Sequence, residues 1–230
     1  MPSAGLVILV HYGDGVHIDI WSDVVCPWCY LGKRRLERAM GELEWADEIT
    51  IRWRAFQLDP TATSEPKDLA ASIDKKYGPG AFASMSQRLG ALGEAEGIDY
   101  RFDRAVRVGT LDAHRVSAWA WATGGAAAQG PLEERMFRAY FTEGANVADA
   151  DVLAGLAADC GLDRVAAREV AAGDAFAGEV AADLEGAHER QITGVPGIVV
   201  ADRFLIPGAQ EPETLVAVLN RARERFTAST

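Results

Sequence analysis

Cys26 and Cys29 are separated by two residues in the stretch Asp19–Lys33, D-I-W-S-D-V-V-C-P-W-C-Y-L-G-K. A short apolar run rich in β-branched residues leads into the pair and a helical pattern follows at once, so the thiols fall at a strand-to-helix junction. Unpaired backbone N–H groups and the positive end of the helix dipole gather there and favour an anion. The anion in question is the Cys26 thiolate. Pro27 occupies a first-turn position where a helix loses an N–H at no cost. Cys29, Gly32, Leu36, Ala39 or Met40, and Leu43 recur at i+3/i+4 spacing as one apolar stripe. Cys29 heads the stripe and is expected to be the buried thiol. Cys26, one turn earlier, is expected at the exposed end, and Lys33, Arg34, Arg35 and Arg38 are expected to point toward water. The pattern suits a nucleophilic Cys26 and a resolving Cys29.

Two other readings compete. Half of a zinc site needs two further ligands at short spacing, and the chain offers only Cys160 and the scattered His11, His17, His114 and His188. Incidental core cysteines are common but have no reason to flank a Pro-Trp dipeptide at a helix start. Thiol redox chemistry ranks first and metal binding second, so no metal or prosthetic group is expected.

Around this site the chain spells a small α/β core. Val16–Trp21 precedes the thiols, a helix runs to about Leu43, and Glu48–Leu58 alternates Ile49, Ile51, Trp53 and Ala55 against polar partners, ending at Asp59-Pro60. From Pro66 to about Ile192 the pattern is helical: Lys67–Tyr77, Ala81–Glu96, Thr110–Ala122, Leu132–Phe141 after Gly130-Pro131, Asp149–Cys160, Asp163–Ala172 and Asp174–Arg190. β character returns at Thr193–Ala201, turns at Asp202-Arg203 into Phe204–Ile206, and closes with an amphipathic helix over Glu211–Phe226. Strand-helix-strand, then strand-strand-helix, with C-x-x-C after the first strand, is the thioredoxin arrangement with a helical block spliced between its halves. The expected fold class is α/β, a thioredoxin-like fold with a large all-helical insertion. The expected division is residues 1–62 and 193–230 for the core and 63–192 for the insertion.

The bulk properties fit a globular chain of 230 residues, 49% hydrophobic and 25% charged. A formal net charge of −11 argues against nucleic acid or an anionic membrane as partner. Three cysteines do not make a disulfide framework. The run Gly5–Val10 lacks the features of a secretory signal and reads as an extra strand turning through Asp14-Gly15. It would offer an edge for a homodimer, and the cytoplasm is the expected location.

The motifs resemble the DsbA family of thiol oxidoreductases, most closely its FrnE-like branch. The resemblance is carried by Ser22–Lys33 (S-D-V-V-C-P-W-C-Y-L-G-K), Arg52–Pro60 (R-W-R-A-F-Q-L-D-P), Ala113-His114-Arg115, Thr193–Pro196 (T-G-V-P) and Gly208-Ala209-Gln210, in family order over nearly the whole chain. It implies a thioredoxin fold whose helical insertion partly covers the site, with Cys26 as nucleophile, Cys29 as resolving thiol and Pro196 as the cis-proline beside which a substrate strand pairs with Val195. It also implies that Pro27 and Trp28 meet the substrate and that His114 and Arg115 face the cleft; the bland alternative for His114 is a satisfied core histidine. Asp23, three residues before Cys26, reads as a solvated strand-end carboxylate or as a proton relay, with the former favoured, and Cys160 as an inert small hydrophobe. The chain departs from its relatives at Gly109-Thr110, where they carry Asn-Thr, and at Gly197-Ile198, where they carry aromatic residues. The activity implied is disulfide exchange with a disulfide or dithiol substrate, protein or small thiol, with glutathione a plausible co-substrate. Its rivals are a glutathione-using isomerase or tailoring enzyme on the same fold and a non-catalytic peptide-binding module.

Overall fold

The computed structural model describes residues 15–227, with side chains described as far as Arg225. The expected strand over Gly5–Val10, and the dimer edge it would offer, lie outside these residues. The chain runs β1 (Val16–Ser22), α1 (Pro27–Met40), a 3-10 turn, β2 (Ile49–Ala55), β3 (Lys67–Asp68), α2 (Leu69–Tyr77), α3 (Ala81–Ala95), β4 (Val106–Arg107), α4 (Leu111–Arg138), α5 (Ala150–Asp159), α6 (Arg164–Ala172), α7 (Ala177–Glu189), β5 (Gly197–Val200), β6 (Phe204–Pro207) and α8 (Pro212–Thr227). The main sheet has the order β2-β1-β5-β6. β1 is parallel to β2, with Val16 opposite Ile49, and antiparallel to β5, with Trp21 opposite Gly197. This is a thioredoxin-like fold with helices α2–α7 inserted between its two halves.

β1 is buried along its whole length because it lies in the middle of the sheet with cover on both faces. Within it, Asp19 accepts from Arg54 Nε at 2.5 Å and lies 3.3 Å from His17 Nε2. α1 starts with Pro27 in its first turn and buries Cys29, Gly32, Leu36 and Ala39, the stripe read from the sequence. Lys33 and Arg35 do not point to water as expected. Lys33 is buried in ion pairs with Glu37 and Glu134, and Arg35 with Glu96 at 3.4 Å and Glu211 at 2.8 Å, with a bond to the Ala209 carbonyl at 2.8 Å. The long side chains reach carboxylates of α1 itself, of the insertion and of Glu211 just before α8.

The remaining boundary shifts have physical causes. β2 ends at Ala55 rather than Leu58 because the Leu58 N–H leaves the ladder to bond Asp23 Oδ2 at 2.8 Å. The break in α4 falls at Gly124-Gly125, where Gly125 takes φ +60°, and not at Gly130-Pro131. A helix-interior proline removes one hydrogen bond, yet the helix continues through Pro131 because Leu132, Met136 and Phe137 beyond it are fully buried. The insertion also holds a two-residue pair, β3 with β4, too short to leave a period in the sequence. The β5–β6 turn is centred on Ala201 and Asp202, both at positive φ, one residue earlier than expected.

Gly32 sets how closely α1 approaches the segment before β5: a Cβ there would lie 2.9 Å from Pro196 Cγ and 3.4 Å from Ala209 Cβ. The ring of Pro196 cannot swing aside as a flexible side chain would. Gly32→Ala is therefore expected to destabilise by about 1–3 kcal/mol, read as a lowered urea midpoint at unchanged slope. An unchanged midpoint would show that the contact is slack.

Candidate active site

Cys26 is the N-cap of α1, in an extended conformation, and its side chain is not used to cap the helix. Its own N–H bonds the Asp23 carbonyl at 2.9 Å, and its carbonyl accepts from Cys29 N at 3.0 Å, so the two cysteines share one tight turn. Both are free thiols. Cys29 is 0% exposed, as its place at the head of the stripe requires, but Cys26 is only 3% exposed and so does not stand open to solvent. The expectation of an exposed Cys26 is corrected by the cover over the start of α1. Arg88 of α3 lies over the Trp28 ring at 5.5 Å, and the Tyr100 hydroxyl donates to the Pro27 carbonyl at 2.5 Å. Tyr30 stacks on Phe137 at 5.1 Å and meets Tyr100 edge-on.

On the other side of the pair, the Val195–Pro196 peptide bond is cis, and the Cys26 thiol lies 3.7 Å from the Val195 carbonyl. The structure thus brings Cys26, Cys29, Pro27, Trp28, Val195 and Pro196 together. It does not bring His114 and Arg115 to that surface. His114 is 4% exposed, with Nε2 2.9 Å from the Phe56 carbonyl and 3.5 Å from Asp23 Oδ1. Arg115 is 5% exposed and bonds the Ala171 carbonyl at 2.9 Å, the Gly173 carbonyl, and Asp112 at 2.7 Å. It closes the C-terminal end of α6, where a cation is favoured by the helix dipole. A direct substrate contact is not what either side chain offers.

Asp23 is also corrected. It is 1% exposed, not solvated, with Oδ2 on the Leu58 N–H and Oδ1 facing His114. Sequence reasoning missed Ser22, Ser117 and Glu133, which are buried and line one cavity with His114. Glu133 was legible in principle, because a carboxylate at i+4 from Gln129 and i−3 from Met136 falls on the apolar face of its helix.

Burial dominates the electrostatics. It pushes the Cys29 thiol well above its usual value, the neighbouring Cys26 adds to this, and the Ser22 hydroxyl and the Asp23 N–H partly oppose it. Burial pushes the Glu133 carboxyl up, against the pull of Ser117 and His114. For His114 burial works downward and is overridden by Asp23 and Glu133, which raise it. Tyr30 is pushed up to about 12, by burial and then by Glu134. Cys160 is raised, by burial and then by Asp159, as suits an unreactive thiol.

Residues 17–220 match the DSBA-like thioredoxin domain. The chain belongs to that family. It is similar to a probable DsbA oxidoreductase from Streptomyces coelicolor, at 33% identity and TM-score 0.84 over 91% of this chain and 90% of that one. It also resembles the uncharacterized protein YwbO of Bacillus subtilis (strain 168), 26% identical over 84% of this chain and 90% of that protein. The cytosolic disulfide reductase DsbM of Pseudomonas aeruginosa, solved with GSH, shares the fold at 18% identity and TM-score 0.64, over 90% of this chain and 99% of that one. No helix among the described residues is long and apolar enough to cross a membrane.

The buried cluster has a measurable signature in stability. A His114 value above the ordinary 6.5 stabilises the fold fully below about pH 6.5, and that contribution is lost as pH rises through the folded value. The raised Glu133 carboxyl has the same sign, so the two act together. His114→Gln is expected to cost more stability at about pH 5.5 than at about pH 8.5, measured by urea unfolding at both values. An equal cost would remove the His114–Asp23 contact at 3.5 Å from the account.

Proposed function

We propose that the protein is a thiol–disulfide oxidoreductase in which Cys26 thiolate attacks a substrate disulfide and Cys29 resolves the mixed disulfide that results. Run backward, the same steps oxidise a dithiol. The observation that carries this reading is the placement of the Cys26 sulfur 3.7 Å from the Val195 carbonyl with Cys29 one turn below it. An extended substrate that bonds the backbone at Val195 has its own sulfur delivered to Cys26, and pairing of this kind supplies affinity without demanding a particular side chain.

Each residue then has a task. Pro27 and Trp28 form the surface between the thiols that the substrate meets, and Trp28 is already shielded by Arg88. Cys29 stays protonated while the substrate binds, because burial and the adjacent Cys26 oppose its ionisation. This keeps Cys26 as the first attacker. The near-complete burial of Cys26 means that the substrate must displace part of the roof over α1. Glutathione fits as the small-thiol partner, since its cysteine lies within a short extended peptide. In the cytoplasm, which is reducing, the enzyme works as a reductase or isomerase.

Two variants test the order of attack. Cys26→Ser is expected to bring disulfide exchange down to the uncatalysed background. Cys29→Ala is expected to accumulate a covalent adduct of the protein with glutathione or a peptide disulfide, seen by mass spectrometry and released by reductant. Exchange that survives in Cys26→Ser, or an adduct found on Cys29 in the wild type, contradicts the assignment.

A further inference from the structure

The four cations of α1 are all spent on carboxylates of the chain itself. Lys33 and Arg34 pair with Glu37 and Glu134, Arg35 with Glu96 and Glu211, and Arg38 with Glu96 at 3.0 Å. Arg88 of α3 is different. It is exposed, and its guanidinium lies over the Trp28 ring, 5.5 Å from the ring centre. Among the described residues no carboxylate pairs with it. Its own helix offers none, because the positions three and four residues away are Ser84, Met85, Ala91 and Leu92.

The rest of the fold holds this cation where it is. Leu89, the next residue, is buried and anchors α3. Gly93, one turn further on, admits Tyr100 so closely that a Cβ there would collide with its ring. The Tyr100 hydroxyl in turn donates to the Pro27 carbonyl at 2.5 Å. Through Gly93, Tyr100 and Pro27 the helix that carries Arg88 is braced against the two residues between the thiols.

A guanidinium over an indole face is held by the ring quadrupole, and its N–H fork stays available in its own plane. That fork matches a carboxylate, which accepts two parallel N–H bonds from it. The ring also keeps water off one side of the pair. The chain as a whole carries a formal charge of −11 and repels an acidic solute, but beyond about 8–10 Å salt screens that repulsion. Attraction of an acid to this site therefore has to be local, and Arg88 is placed to supply it.

We propose that Arg88 is a specificity-determining residue of the site: it binds a carboxylate carried close to the reactive sulfur of the substrate, so that acidic disulfides are preferred over neutral ones. The inference rests on the oxidoreductase reading, in which the substrate meets Trp28, and adds no chemical step to it. The carboxylate can come from a small thiol such as glutathione or from an acidic side chain beside the cysteine of a peptide; the recognition chemistry is the same.

The test measures how fast the reduced full-length protein is oxidised by two matched pairs of disulfides, with free thiols trapped by rapid alkylation and counted by mass. One pair is oxidised glutathione and the same disulfide with both glycine carboxylates as ethyl esters. The other is two short peptide disulfides that differ only in Glu or Gln beside the cysteine. Wild type should react about 5- to 10-fold faster with the acidic member of at least one pair, the size expected for a partly exposed charged contact. Arg88→Gln should bring that ratio to within about twofold of one while the neutral member keeps its rate, and Arg88→Lys should retain part of it. A preference in the glutathione pair alone assigns the carboxylate to a small thiol, and one in the peptide pair alone assigns it to a peptide. The proposal is overturned if wild type shows no acid preference in either pair. It is also overturned if Arg88→Gln slows both members by the same factor, as lost packing on Trp28 would, or if it leaves the preference intact. A wild-type protein that none of the four disulfides oxidises would instead overturn the oxidoreductase reading beneath it.

Discussion

Burial of the second thiol is the constraint on which the rest of the site depends. Cys29 sits at the head of the apolar stripe of α1, between helix and sheet, where ionisation is opposed by the loss of water. That position gives the pair its asymmetry: one sulfur is held at the end of the helix, 3.7 Å from the Val195 carbonyl, and the other is held back as a thiol by burial. It also obliges the surrounding structure to provide polar groups in the interior. Ser22, Asp23, His114, Ser117, Gln129 and Glu133 are all buried, and unsatisfied groups in such a place would each cost about 1–3 kcal/mol. Most are paired with one another or with the backbone of β2.

The helical insertion has two parts in this arrangement. From above, α3 and the segment through Tyr100 cover Pro27 and Trp28. From the side, α4 supplies His114, Ser117, Gln129 and Glu133 to the sheet edge, where Gln129 engages both the N–H and the carbonyl of Trp53. This contact also occupies part of the outer edge of β2, which would otherwise be open to another strand. Asp183 of α7 continues the same edge by accepting from the Ala55 N–H at 3.0 Å and from Arg54 at 3.0 Å. The insertion is thus keyed to the core by side-chain hydrogen bonds to an edge strand and by the aromatic packing of Tyr30 on Phe137.

The core was legible in the sequence because its signals are local. The β-branched run before Cys26, the 3.6-residue stripe after it and the period-two alternation of β2 each name an element, and Asp149 and Asp163 mark helix starts by bonding the N–H groups of the first turn. What the sequence hid was long-range. Lys33 and Arg35 are typical surface residues until the carboxylates of Glu134, Glu96 and Glu211 meet them. Asp23 resembles a solvated strand end until Leu58 folds back onto it. Cys26 looked exposed because the stripe of α1 says nothing about a roof built from residues about 60 to 75 positions away. Gly124-Gly125 broke the helix in preference to Pro131 because the apolar face beyond the proline was worth more than one lost hydrogen bond.

The account stands on Cys26 and Cys29 forming a reversible disulfide with each other. The most direct measurement equilibrates the full-length protein across a series of reduced and oxidised glutathione ratios, traps free thiols by alkylation and counts them by mass. The account predicts one two-electron transition that removes two thiols together, at a potential between about −270 and −120 mV, with Cys160 alkylated throughout. Three free thiols at every ratio, or an end state in which Cys26 holds glutathione and Cys29 stays free, would contradict it.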